Sequence, residues 1–300
     1  MDTKPETPQP EFLTPGSSTL LLGPGGVGKT TAIVTFIEAG IETFVLITDP
    51  NGEEALLKAM KERDLDMNLL HWNYVPSASP SWDTLMAMAT SIRDLSYKAL
   101  TDIKSGLRKE DYQQFFNLLS VCRNFKCTRT GEEYGPVDSW GPNRAFILDS
   151  LSGMNTMCMD MTIGAKPIAH QGEWGVAMNA EEKIIKKFCS DLRCFFVLIA
   201  HIQRAYDEIV GQQQLMVDAL GNKLAPKLPK DFSDVVLGVR EGAKFFWSTT
   251  AMQVDLKART LPLSDKLEPS FVQMVESWKE REATAKQEEV KGDDNDSNST

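Results

Sequence analysis

The sequence predicts an α/β fold built on a mostly parallel sheet with helices on both faces, and three observations carry that prediction. Short apolar runs of strand length recur along the chain, stretches of helical period separate them, and one strand-to-helix junction holds a glycine-rich loop. The runs are Ser18–Leu22, Thr43–Thr48, Phe195–Ala200 and the shorter Ala145–Leu148. They are apolar with little alternation, as expected of strands covered on both faces.

Taken in order, residues 1–15 carry Pro5, Pro8, Pro10 and Pro15 among polar residues and read as an extended or disordered arm. Ser18–Leu22 is the first strand, and Thr30–Ala39, beyond the glycine-rich loop, the first helix. Thr43–Thr48 follows as a strand expected beside the first one. Glu53–Glu62 places Leu56, Leu57 and Met60 on one helical face. Residues 70–143 read as a long insertion, helical in part at Trp82–Tyr97 and Lys109–Leu119. Ala145–Leu148 returns to the sheet, and the helix Ala180–Leu192 leads into Phe195–Ala200. Beyond Gln212 the texture changes. Gln214–Leu220, Val235–Arg240, Phe245–Thr250 and Gln253–Lys257 read as short strands of a C-terminal antiparallel extension, with a last helix at Pro269–Trp278. The acidic stretch from about Gln287 has nothing to bury. The expected organisation is therefore an arm at 1–15, one domain at 16–280 with an insertion at about 70–143, and an acidic disordered tail at 281–300.

Composition is that of a globular chain, with 42% hydrophobic and 25% charged residues. The net charge of −10 argues against a surface coated for non-specific DNA binding, while leaving room for a local basic groove. No apolar run is long enough to span a bilayer, so no membrane partner is expected and the chain reads as cytoplasmic. The five cysteines, Cys122, Cys127, Cys158, Cys189 and Cys194, are expected as reduced thiols rather than zinc ligands.

The chemistry gathers at Gly23-Pro24-Gly25-Gly26-Val27-Gly28-Lys29-Thr30, which matches G-x-x-x-x-G-K-[ST] in full and is followed by Thr31. The match lies after a predicted strand and before a predicted helix, where a phosphate cradle works. Glycines let backbone N–H groups close around phosphates, and the helix N-terminus adds partial positive charge. Lys29 is the expected contact to the β and γ phosphates of ATP, and the Thr30 hydroxyl a ligand of Mg²⁺. Asp149 ends the strand Ala145–Leu148 and is the expected second metal-site residue, although an Asp-Ser pair also serves as a turn or cap. Asp49, Glu53 and Glu54 are alternatives for the group that orients the attacking water, with Glu53 ranked above Glu54. His201 closes Phe195–Ala200 and reads either as structural or as a sensor of the γ-phosphate. Lys257 and Arg259, spaced by two, would point the same way on a strand. They read as a charged edge or as finger residues delivered to a neighbouring subunit's ATP.

In these motifs the chain resembles the RecA-like P-loop ATPases. It is most similar to the phage-encoded RecA-like proteins of single-strand annealing and recombination, over about Ser17–Leu263. The resemblance rests on Gly23–Thr31, Asp49–Glu54, Phe146–Ser150, Ala200–Gln203, Leu220–Pro229, Phe232–Val236 and Lys257-Ala258-Arg259. It implies an Mg²⁺-dependent, DNA-stimulated ATPase active as a homo-oligomer, ring or filament, in the host cytoplasm if phage-encoded. Single-stranded DNA is the implied ligand, and a single-strand-binding or other recombination protein an implied partner. Lys257 and Arg259 are implied to act on the adjacent subunit's nucleotide. DNA contacts are implied at Ser152–Gly172 and Gln203–Gln213, where Lys166, His170, Arg204 and Tyr206 offer suitable chemistry. Residues 220–260 add seven Lys/Arg against four acids. Two departures from the family pattern are the intervening Asp49-Pro50-Asn51-Gly52 before Glu53 and the length of 70–143. The competing readings are a nucleotide-gated assembly protein with little hydrolysis and a small-molecule P-loop kinase; against the latter, no arginine-rich lid is seen.

Overall fold

The structure, a computed structural model, describes residues 12–78, 80–93, 95–102, 112–164, 166–207, 212–251 and 254–296. Its centre is a seven-stranded sheet. In chain order the strands are β1 (Ser18–Leu22), β2 (Glu42–Ile47), β3 (Leu70–Tyr74), β4 (Arg144–Asp149), β5 (Phe195–Ala200), β8 (Asp234–Glu241) and β9 (Lys244–Ser248). A separate hairpin pairs β6 (Ile202–Asp207) with β7 (Gln212–Val217). The spatial order is β3-β2-β4-β5-β1-β8-β9, parallel throughout except that β9 runs antiparallel to β8.

Why the strands are apolar on both sides is visible in their packing. Leu20 and Leu22 face one core and Leu21 the other; Phe44 and Leu46 divide likewise from Val45 and Ile47, and Phe146 and Leu148 from Ala145 and Ile147. The first core is closed by α6 (Gln114–Arg123), α7 (Leu151–Ile163) and α8 (Gln171–Asp191) through residues such as Leu118, Met154 and Ile185. The second is closed by α2 (Thr35–Glu38), α3 (Gly52–Glu62) and α9 (Val272–Asp296) through Phe36, Leu56 and Met274. Each such side chain contributes about 1.5–3 kcal/mol by burial. Truncating Phe146, fully buried at the sheet's centre, to alanine would cost about 3–5 kcal/mol.

Several expectations are corrected. β2 does not lie beside β1: it sits between β3 and β4, and β5 fills the position next to β1. Leu70–Tyr74 is a parallel edge strand, so the inserted region begins after it. That region holds α4 (Trp82–Arg93), α5 (Tyr97–Thr101) and α6. The helix after the loop is broken into α1 (Lys29–Ala32) and α2. The break falls in a run of β-branched residues, and Thr35 Oγ1 donates to the Ala32 carbonyl at 2.7 Å, a local bond that competes with helix. The C-terminal extension is mixed: β8 joins the parallel sheet, and Lys257 makes only an isolated bridge to Val235.

The last helix does not end near Trp278. It continues to Asp296, through residues expected to be a disordered tail. Glu280–Glu289 is rich in strong helix formers, and Glu282 meets Lys286 at 3.2 Å one turn on. Glu282 also clasps the end of the N-terminal arm, accepting from Leu13 N, Thr14 N and Thr14 Oγ1 at 3.1, 2.8 and 2.7 Å. Burial raises the Glu282 carboxyl's pKa, but those donors and Lys286 more than offset it and pull it down to about 2. The expected arm residues 1–11 and tail residues 297–300 lie outside the described residues.

Candidate functional site

The sheet order sets four strand ends side by side at the carboxyl edge. Gly23–Gly28 follows β1, His201 follows β5, Asp149 ends β4, and Thr48-Asp49 follows β2. This edge of an open parallel sheet is where ligands bind.

The loop's shape depends on glycine. Gly26 and Gly28 have φ of 74° and 79°, in the left-handed region that side chains disfavour. A Cβ on Gly25 or Gly26 would meet nothing within 4 Å, so the outer rim of the loop is open. Val27 turns inward and is buried. Lys29 curls back under the loop, its Nζ donating to the carbonyls of Gly23 and Pro24 at 2.6 and 2.8 Å. Burial depresses the Lys29 pKa, and the carboxylates of Asp149 and Asp49 oppose that shift. The ammonium thus sits between an open glycine loop and two acids.

Thr30 and Asp149, 119 residues apart in sequence, are joined directly: Thr30 Oγ1 donates to Asp149 Oδ2 at 2.7 Å. Asp149 is 5% exposed. Burial lifts its pKa, the Thr30 hydroxyl and Lys29 lower it, Asp49 raises it, and the balance stands at about 6. Asp49 is drawn in by Ser150, whose Oγ donates to Asp49 Oδ2 at 2.7 Å. Thr48 locks the two strand ends together, accepting from Ser150 N and donating to Ser150 O, both at 2.8 Å. A Cβ on Gly153 would lie 2.3 Å from Thr48 Oγ1, so α7 reaches this junction only with glycine there. Thr48 and Gly153 are site-forming residues that motif reading passes over, because their role is contact between distant segments.

The remaining predicted residues divide. Glu53, in the first turn of α3, is partly buried and its Oε2 has no hydrogen-bond partner among the described residues; Glu54 is exposed. Among these acids, the one coupled to Lys29 and Asp149 is Asp49. His201 sits at the end of β5 between the loop and Asp149, and its carbonyl accepts from Asp218 N at 2.9 Å, just past β7. Lys257 and Arg259 are not brought here. They lie by the start of β8, at the sheet's opposite edge, and not on a strand. Lys257 is committed to its own chain, its Nζ donating to the carbonyls of Lys230 and Phe232. Asp234 holds the neighbouring backbone, accepting from Arg259 N and Thr260 N at 2.8 and 2.9 Å. The Arg259 side chain is exposed. Lys166 is also withdrawn from the implied DNA contacts: its side chain is buried and bound to Glu173 at 2.8 Å.

Comparison with protein-family models and with curated proteins returns no match. None of the described helices is long and apolar enough to cross a membrane.

Proposed function

We propose that the protein binds and hydrolyses ATP with Mg²⁺ as an oligomeric RecA-like ATPase acting on single-stranded DNA. The observation that carries this reading is the Thr30–Asp149 hydrogen bond beside Lys29. It joins the lysine-threonine end of a glycine loop to a buried carboxylate on a neighbouring part of the sheet edge, the donor set that an Mg²⁺–triphosphate requires.

The residues fit the ligand on independent grounds. Asp149 is a buried carboxylate whose ionised form lacks full compensation, and Glu53 Oε2 is an orphaned buried acceptor. In this reading Lys29 exchanges the Gly23 and Pro24 carbonyls for phosphate oxygens, and the loop amides orient the phosphates. Thr30 and Asp149 hold the metal, which supplies charge neutralisation when bound. Asp49, the acid that acts on both Lys29 and Asp149, positions the attacking water, with Glu53 as the alternative from the first turn of α3. His201 links the phosphate end to the β6–β7 hairpin through its bond to Asp218. Arg259 serves the neighbouring subunit's nucleotide, a role its exposure and remoteness from its own loop favour; Lys257 instead anchors the segment that presents it. For DNA, the segment Gly221–Asp231 offers exposed Lys223, Lys227 and Lys230, and β6 offers exposed Arg204.

ATP turnover with and without single-stranded DNA at low salt tests the proposal. Stimulation by DNA is expected; turnover that ignores DNA, with no strand binding, removes the DNA part. Arg259→Ala should keep nucleotide binding and lose roughly 1,000-fold in turnover. Mixing it with Lys29→Ala subunits should restore part of the activity, because hybrid interfaces pair an intact loop with an intact finger. No recovery in co-assembled mixtures would remove the finger role.

A further inference from the structure

Beside the glycine-rich loop lies a cavity of about 260 Å³ lined by Gly26, Gly28, Thr31, Ala32, Arg63, Phe245 and Pro269. Gly26 and Gly28 belong to the loop itself and Thr31 and Ala32 to α1 just after it, so the cavity continues the proposed phosphate cradle. Phe245 is 38% exposed on β9, and its ring carbons come within 3.7 Å of where a Gly28 Cβ would stand. The ring therefore leans over the loop instead of pointing into open solvent. It is held there from the adjacent strand. Phe245 is directly paired with Arg240 across β8 and β9, and the Arg240 guanidinium lies 5.6 Å from the ring centroid. Arg63 on the cavity wall is steadied by Glu38 at 2.6 Å.

We propose that this cavity is the nucleobase subsite, in which the base of the nucleoside triphosphate stacks on Phe245 while Arg63 faces its hydrogen-bond acceptors. This rests on the nucleotide-binding reading above and adds to it the residue that recognises the base. Among the described lining residues there is one aromatic platform, an arginine donor and no carboxylate, which favours purines by stacking area and imposes only weak choice between adenine and guanine.

Calorimetry with Mg²⁺ and three probes, ATP, CTP and inorganic tripolyphosphate, tests the assignment. The wild-type protein should bind ATP at least tenfold more tightly than tripolyphosphate, with CTP between them. Phe245→Ala should weaken ATP about tenfold and leave tripolyphosphate unchanged, and Phe245→Trp should restore ATP binding. Equal binding of ATP and tripolyphosphate by the wild type, or a Phe245→Ala protein that binds ATP normally, would overturn the subsite while leaving the phosphate cradle standing. An equal loss of both ligands in Phe245→Ala, not repaired by tryptophan, would also overturn it, because the ring would then only support the loop. Failure of the wild type to bind any of the three would instead remove the cradle itself.

Discussion

The two ends of strands β2 and β4 carry charge in opposite ways. At the amino end, Glu42 begins β2 and Arg144 begins β4; Arg144 Nε donates to Glu42 Oε2 at 2.7 Å, and His71 Nε2 lies 3.2 Å from Glu42 Oε1. Phe44, Tyr134 and Trp140 surround the Arg144 guanidinium at 5.2–5.6 Å. At the carboxyl end stand Asp149 and Asp49, with Lys29 beside them. Burial acts on both ends, yet the outcomes diverge. At the amino end it raises the Glu42 pKa, but His71 and Arg144 overcome it and the net shift is down; His71 is correspondingly raised, despite burial, by Glu42 and Cys127. At the carboxyl end burial prevails, leaving Asp149 raised and Lys29 lowered. Paired charges that favour their ionised forms stabilise a fold. Charges left short of compensation are what a charged ligand can exploit.

That contrast can be broken by mutation. The largest effect is expected from Lys29→Ala, which should weaken Mg²⁺–ATP binding by roughly 100-fold or more while leaving the urea midpoint near its original value. A collapse of stability without a binding defect would mean that the two ends are alike. Next comes Glu42→Ala, which strands Arg144 and His71. Breaking a fully buried pair costs about 3–5 kcal/mol, and the quarter exposure of Glu42 reduces this to about 2 kcal/mol, read as a lower urea midpoint. Nucleotide affinity should stay within about twofold.

The smallest and most diagnostic effect is on pH. In the proposed metal role Asp149 must be ionised, so Mg²⁺–nucleotide affinity should fall as pH drops through about 6. Asp149→Asn should bind weakly with that step removed. For the metal-free fold the sign is reversed: a carboxylate raised in the native state costs stability as pH rises from the ordinary Asp range through about 6, so Asp149→Asn should be more stable than wild type at pH 7. At the amino end, the Glu42 contribution is lost as pH falls through its lowered pKa. The His71 contribution is present below its ordinary value and lost as pH rises through its raised one. Unfolding measured against pH in both Asp149→Asn and Glu42→Ala separates the two ends.

Much of this was legible in sequence because the information was local. The apolar strands β1, β2, β4 and β5, the loop Gly23–Thr31 and the strand-end position of Asp149 each announce themselves within a few residues. Leu70–Tyr74 did not, since His71, Asn73 and Tyr74 interrupt its apolar pattern and its strand identity comes from pairing with β2. The helix beyond Trp278 is masked by its charge: the segment has the composition of a solvated tail, yet Glu280–Glu289 is rich in strong helix formers. The spacing of Lys257 and Arg259 implies a shared direction only on a strand, whereas that segment makes an isolated bridge and is held by Asp234.

The sequence by itself determined that a glycine loop with a lysine and a threonine follows a buried strand in a mostly parallel α/β chain. Only the tertiary structure decided the strand order, and with it which distant residues became neighbours: Thr30 with Asp149, Asp49 with Ser150, Phe245 with Gly28. The reason is physical. Backbone propensity and apolar period act over a few residues, whereas the lateral order of parallel strands is set by which helices cover which faces, across separations that no local pattern encodes.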